Sequence, residues 1–197
     1  SESSVTLDIG IPMKNVIACT DLGGTKVRSG LYAPERGLLR ESIVTLDTEV
    51  DRGREAVLSN IERSIREAAQ AAGVRIADLK GLGIGSPGPL YLDKGMIGEA
   101  PNMGPLRNCP IREEMAQRLG LPVFLNNDAN VFVLGEAVHG AGKNHPIVFG
   151  VTLGTGFGAG LVIDGRIYNG ATGTAAEIWT FRYRDGIIED YVSGRAL

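Results

Sequence analysis

Cysteine and histidine are scarce, with two of each in 197 residues. Cys19 and Cys109 cannot supply the several bridges on which small secreted folds depend, and they read as two free, mostly buried thiols of a reducing cytoplasm. His139 and His145 form no ligand cluster with them, so no structural zinc is expected. A surplus of one charge is also missing. Twenty Lys and Arg stand against 23 Asp and Glu, a formal net charge of −3 that offers nothing to nucleic acid or an anionic membrane. No apolar run approaches the roughly 20 residues of a membrane span, and residues 1–12 lack the charged-then-apolar plan of a signal peptide. What remains is an ordinary globular composition, 43% hydrophobic and 22% charged. Glycine stands out, with 28 residues gathered in short motifs rather than linkers.

Hydrophobic periodicity orders the chain. Residues 16–19, 27–32 and 38–46 read as three strands of an antiparallel meander. Val57, Ile61, Ile65, Ala68, Ala69 and Ala72 recur at helical spacing, and Gly73 reads as the C-terminal cap. Residues 79–85 read as a buried strand, 87–109 as loop and 111–119 as a short helix. A strand at 123–125 leads into a helix from 129 to about 138. Strands at 147–153 and 161–163 flank a glycine-rich segment, and Asp164-Gly165 reads as a tight hairpin turn. Residues 171–188 read as irregular, and 189–197 as the opening of a helix. Strand, glycine turn, strand thus occurs at 16–32 and again at 147–163, which predicts a duplicated two-lobed α/β fold. The expected division is an arm at 1–14, a first lobe at 15–125 and the start of a second at 126–197.

Three motifs carry chemistry. In Asp21-Leu-Gly-Gly-Thr-Lys26, Gly23 and Gly24 permit unusual dihedrals and close approach. Their N–H groups, with the Thr25 hydroxyl, make a nest for phosphate oxygens. Asp21 is placed to hold magnesium, through water. The segment from Gly154 to Gly160 matches a dinucleotide fingerprint loosely, but a strand follows where that fingerprint needs a helix, so a phosphate-facing turn fits better. No Walker A motif is present, since Gly142-Lys143 is followed by Asn144. In Asn126-Asn127-Asp128-Ala129-Asn130, Asp128 falls where a strand ends and a helix begins. The positive helix end is expected to favour its ionised form, as a general base needs. Each motif alone is also an ordinary turn or helix cap. Together they supply what phosphoryl transfer requires: donors for developing charge, a metal ligand and a group that orients the nucleophile.

These motifs, with Tyr191-Val-Ser-Gly-Arg-Ala-Leu197 and in this order, resemble the ROK family of glucokinases, acylhexosamine kinases and sugar-responsive repressors. The resemblance runs from about Val16 to the C-terminus. It implies the actin-like, ribonuclease H-like ATPase fold, with a second lobe incomplete in this chain. It implies ATP and Mg²⁺ as cofactors, a hexose as substrate with glucose the default, and Asp128 as catalytic base. Asp21, the glycine turn Gly23, Gly24, Thr25 and Lys26, and the turn Gly154, Thr155 and Gly156 would meet phosphates or metal. Ser86, Pro87, Gly88, Asn102, Asn127, Asp128, Glu177 and Glu189 would contact the sugar. Members are often dimers, so a homodimer is implied by resemblance alone.

The chain departs from the family pattern at the usual Glu-x-Gly-His, which reads Glu177-Ile-Trp-Thr180. Thr180 is expected to replace one hydrogen bond and Trp179 to pack on the sugar's apolar face. The zinc loop is missing, and residues 181–188 hold neither Cys nor His. The adenosine-binding segment of the family is not in view, which leaves polyphosphate open as donor. Two alternatives remain. One is a sugar-binding regulator of the same family without kinase activity, although about fifteen residues before the first strand are too few for a helix-turn-helix. The other is a different actin-like ATPase, against which the two glutamates in register count.

Overall fold

The computed structural model describes residues 15–100 and 103–194. Strand β1 (Ile17–Leu22) alternates strictly: Ala18, Thr20 and Leu22 are buried, while Ile17, Cys19 and Asp21 lie on the other face. It turns back antiparallel through β2 (Lys26–Ala33), which pairs with β3 (Gly37–Asp47), so the expected meander forms. Helix α1 (Arg54–Ala71) lays Val57, Leu58, Ile61, Ile65, Ala68 and Ala69 against this sheet. Gly73 follows it with φ +66°, the left-handed position that glycine fills without a Cβ penalty.

Strand β4 (Leu82–Ser86) then pairs parallel with β1. The stretch read as pure loop contains a small hairpin, β5 (Leu90–Tyr91) and β6 (Met96–Ile97), and a helical turn at Gly104–Leu106. The paired runs are only two residues long, too short for alternation to reveal them. Helix α2 (Ile111–Leu119) leads to β7 (Val123–Asn127), parallel to β4. The sheet order is β3-β2-β1-β4-β7, with α1 and α2 in contact with each other. Leu22, Leu31, Leu58, Ile61, Ile65, Leu82 and Ile84 form the centre of its core.

Helix α3 (Asp128–His139) begins where β7 ends and packs on a second, antiparallel sheet. That sheet is β8 (Ile147–Leu153), β9 (Phe157–Ile163) and β10 (Arg166–Ile167), in the order β10-β9-β8. Strand β9 begins at Phe157 rather than at 161. Its glycines are strand positions that admit α3, because a Cβ on Gly158 would lie 2.8 Å from the Ala129 Cβ. The Asp164-Gly165 hairpin is present, both residues having positive φ.

Beyond it lie a helical turn at Ile178–Thr180, a hairpin of β11 (Arg182–Tyr183) with β12 (Gly186–Ile187), and α4 (Ile188–Val192). Helix α4 stops at Val192, with Ser193 already extended, instead of running on. The N-terminal arm and Arg195, Ala196 and Leu197 lie outside the described residues. Cys109 is buried as expected, but Cys19 is exposed, because the strict alternation of β1 turns it away from the core. Among the described residues no helix is long and apolar enough to cross a membrane.

Candidate active site

Strand register assembles the site. Asp21 pairs with Gly85 across β1 and β4, while Gly85 and Ser86 pair with Asn126 and Asn127 across β4 and β7. The carboxyl ends of three parallel neighbours therefore bring Asp21, the 86–88 loop and Asn127-Asp128 to one edge, where open α/β sheets bind ligands. Gly85 adjoins Asp128: a Cβ there would lie at ordinary contact distance, 3.6 Å, from the Asp128 Cα. Gly88 lies next to the Asn127 amide nitrogen at 3.7 Å by the same measure. Ser86 is fully buried and its hydroxyl donates to the Pro87 carbonyl at 3.2 Å, so it shapes the loop. Asn102 lies outside the described residues.

The cap of α3 is Asn127, whose side-chain oxygen accepts from the N–H groups of Ala129 (3.0 Å) and Asn130 (3.3 Å). Asp128 is thereby freed from capping. One of its oxygens accepts the Ala129 N–H at 2.8 Å, and the residue keeps an open side toward solvent. Helix-end stabilisation of its charge does not prevail. Crowding by surrounding protein pushes its carboxyl above the ordinary value of 3.8, the Ala129 N–H opposes this, and the nearby charge of Asp21 adds to the rise.

The first glycine turn closes with the Gly23 N–H on the Lys26 carbonyl at 2.9 Å. Neither Gly23 nor Gly24 takes a positive φ. Close approach accounts for Gly23, as expected: its Cβ would meet the Lys26 carbonyl oxygen at 3.1 Å. Thr48, which sequence reasoning missed, pins this turn from behind. Its hydroxyl donates to the Gly23 carbonyl (2.7 Å) and its N–H to the Thr25 carbonyl (2.9 Å). Thr25 is exposed, and the Lys26 ammonium pairs with Asp47 at 2.5 Å on the surface.

The second turn, Gly154-Thr155-Gly156, is closed by the Gly154 N–H on the Gly156 carbonyl at 3.0 Å. Glu189 reaches it, one carboxylate oxygen accepting the Phe157 N–H at 2.8 Å. Glu177 accepts the indole N–H of Trp179, and Thr180 is exposed with only a 3.5 Å contact to the Glu177 carbonyl. Trp179 therefore orients Glu177 through its nitrogen.

A chain of asparagine amides, also missed, spans the two sheets. Asn130 donates to Asn126 and Asn126 to Asn169, each at 3.2 Å. No sequence motif announces Asn169, which follows β10 and meets Asn126 only through the fold.

Among the described residues no three His, Cys, Asp or Glu side chains gather as a metal site. Asp21, near enough to raise the proton affinity of Asp128, fits magnesium held mainly by phosphates and water.

The sequence profile of the ROK family matches residues 17–182. The chain belongs to the ROK family. It carries that family's actin-like α/β fold: the ROK hexokinase of Thermus thermophilus superposes with a TM-score of 0.81 at 32% identity, over 92% of this chain and 61% of that one. A ROK glucokinase from Streptomyces griseus, solved with glucose and AMPPNP, gives 0.79 at 32% identity, over 92% and 58%. The glucokinase of Thermotoga maritima is 40% identical over 158 residues, 80% of this chain and 48% of its own length. The chain spans about half the length of the curated glucokinases it matches. The ROK match covers both glycine turns, Asp128 and Glu177, whereas Glu189 lies beyond it.

Proposed function

We propose that this chain carries the acceptor and phosphate sides of a sugar kinase, which transfers the γ-phosphoryl group of ATP to a hexose hydroxyl with Mg²⁺. The observation that carries the reading is Asp128, a solvent-open carboxylate at the end of β7, on the same sheet edge as Asp21, whose charge adds to its raised proton affinity. A carboxylate that holds a proton more tightly is the stronger base toward a hydroxyl. In the reaction Asp128 takes the hydroxyl proton and the freed oxygen bonds to the γ-phosphorus. The bond from phosphorus to the β,γ-bridging oxygen breaks, and ADP leaves. The turn N–H groups not spent on closure, those of Gly24, Thr25, Thr155 and Gly156, would meet phosphate oxygens. Magnesium, held by Asp21 through water, would neutralise phosphate charge.

On the acceptor side, Asn127 spends its oxygen on the helix cap and keeps its amide N–H groups for a sugar oxygen. Pro87 and Gly88 shape the wall beside it, and Glu177, held by Trp179, accepts hydroxyl donors. Glucose is the proposed substrate, supported by the glucose-bound relative.

The test is sugar-dependent ADP release from Mg-ATP across glucose, mannose, fructose, N-acetylglucosamine and N-acetylmannosamine. Turnover with one of them, glucose first, is expected. Sugar binding by calorimetry without turnover, with ATP or polyphosphate as donor, would contradict the kinase and favour a sugar-binding regulator.

A further inference from the structure

The second glycine turn is held from outside, by the two ends of one short helix. At the start of α4, Glu189 Oε2 accepts the Phe157 N–H at 2.8 Å. Past its end, the Gly194 N–H donates to the Gly154 carbonyl at 2.6 Å. Both contacts are close. A Cβ on Gly156 would sit 2.9 Å from Glu189 Oε2, and one on Gly194 would sit 2.8 Å from the Gly154 oxygen. The turn's own closure is a single hydrogen bond, and the two anchors add a hold from outside the β8–β9 ladder, in which Leu153 pairs with Phe157. Glu189 is half-buried, and among the described residues its second oxygen accepts no hydrogen bond.

We infer that Glu189 is a positioning residue that couples sugar occupancy to the placement of the 154–156 phosphate turn. The inference rests on the kinase reading above. A carboxylate with one oxygen on the Phe157 N–H and the other free can swing about the bond it makes. A sugar hydroxyl donating to the free oxygen removes that freedom and fixes the turn before phosphate arrives. By linkage, sugar tightens nucleotide and nucleotide tightens sugar by the same factor.

The test follows amide hydrogen exchange at Phe157, and nucleotide affinity with a non-hydrolysable ATP analogue, each with and without glucose. In the wild-type chain glucose should slow exchange at Phe157 and tighten the analogue by about fivefold or more. Glu189→Ala should speed ligand-free exchange at Phe157 by about tenfold, the loss expected for a hydrogen bond to a charged acceptor, and should abolish the glucose effect. Glu189→Gln keeps an oxygen for the Phe157 N–H and should retain most of the protection. Gly156→Ala, whose Cβ would displace Oε2, should reproduce the loss with Glu189 intact. Unchanged Phe157 exchange in Glu189→Ala, or a glucose effect that survives in it, overturns the inference. Absence of glucose binding to the wild-type chain overturns the kinase reading and the coupling together. The ligand-free comparison then still decides whether Glu189 holds the turn.

Discussion

Asp128 stands between opposing influences, and their balance has a measurable sign. Crowding by surrounding protein and the Asp21 charge favour its protonated form, while the Ala129 N–H favours the carboxylate, and the first two win. A carboxyl whose folded pKa is raised costs stability as pH climbs from the ordinary value of 3.8 through the raised one, and costs nothing below the ordinary value. Asp128→Asn removes that cost and keeps an oxygen for the Ala129 N–H. Thermal unfolding should therefore show the variant more stable than wild type at neutral pH, with the difference vanishing below the ordinary carboxylate range. A difference that persists at low pH would show that titration of Asp128 is not its source. The residue was legible in the sequence, because a strand end followed by Asn-Asp-Ala-Asn marks it. The direction of its pKa was not, since crowding around it comes from segments distant in the chain. The burial of Ser86 and the bond of its hydroxyl to the Pro87 carbonyl were not legible for the same reason, since which way a serine faces depends on what packs around it.

At the scale of elements, the seating of α3 on β9 decides where Asp128 points. Glycines at 158 and 160 let the first turn of the helix lie against the strand, and a Cβ on Gly160 would meet the Asn130 Cα at 3.0 Å. Backbone cannot yield as a side-chain tip can. Gly160→Ala should thus cost about 1–3 kcal/mol in denaturant unfolding, as overpacking does. It should also lower turnover more than it weakens sugar binding, because the helix carries the base. Equal stability of variant and wild type would mean that α3 is not held by this contact. The elements with strong periodicity, α1 and the meander, were legible in the sequence. The hairpins at 90–97 and 182–187 were not, because two-residue strands leave no alternation to read. The glycine run at 154–160 misled for a different reason. A glycine that admits a helix looks the same in sequence as one that faces phosphate, and only the first three residues form the turn.

For the whole molecule, one parallel edge and one glycine turn on each sheet suit a kinase site. The repeated strand-turn-strand pattern announced both hairpins, β1-β2 and β8-β9. It could not announce the Asn126–Asn169 bond or the reach of Glu189 to Phe157, because each joins segments distant in sequence. The outer face of β8 shows Ile147, Phe149, Val151 and Leu153 all exposed, an apolar strip of the kind that marks a contact surface. The central claim is that Asp128 takes the proton of a bound sugar. Its most direct test measures glucose affinity and the rate of glucose-dependent ADP formation in wild type and Asp128→Asn side by side. The account predicts glucose affinity within a few-fold of wild type and a rate lower by about 10²–10⁴, the range for loss of a general base. A variant that binds glucose and turns over at the wild-type rate, or a wild-type chain that binds glucose and ATP without forming ADP, would contradict it.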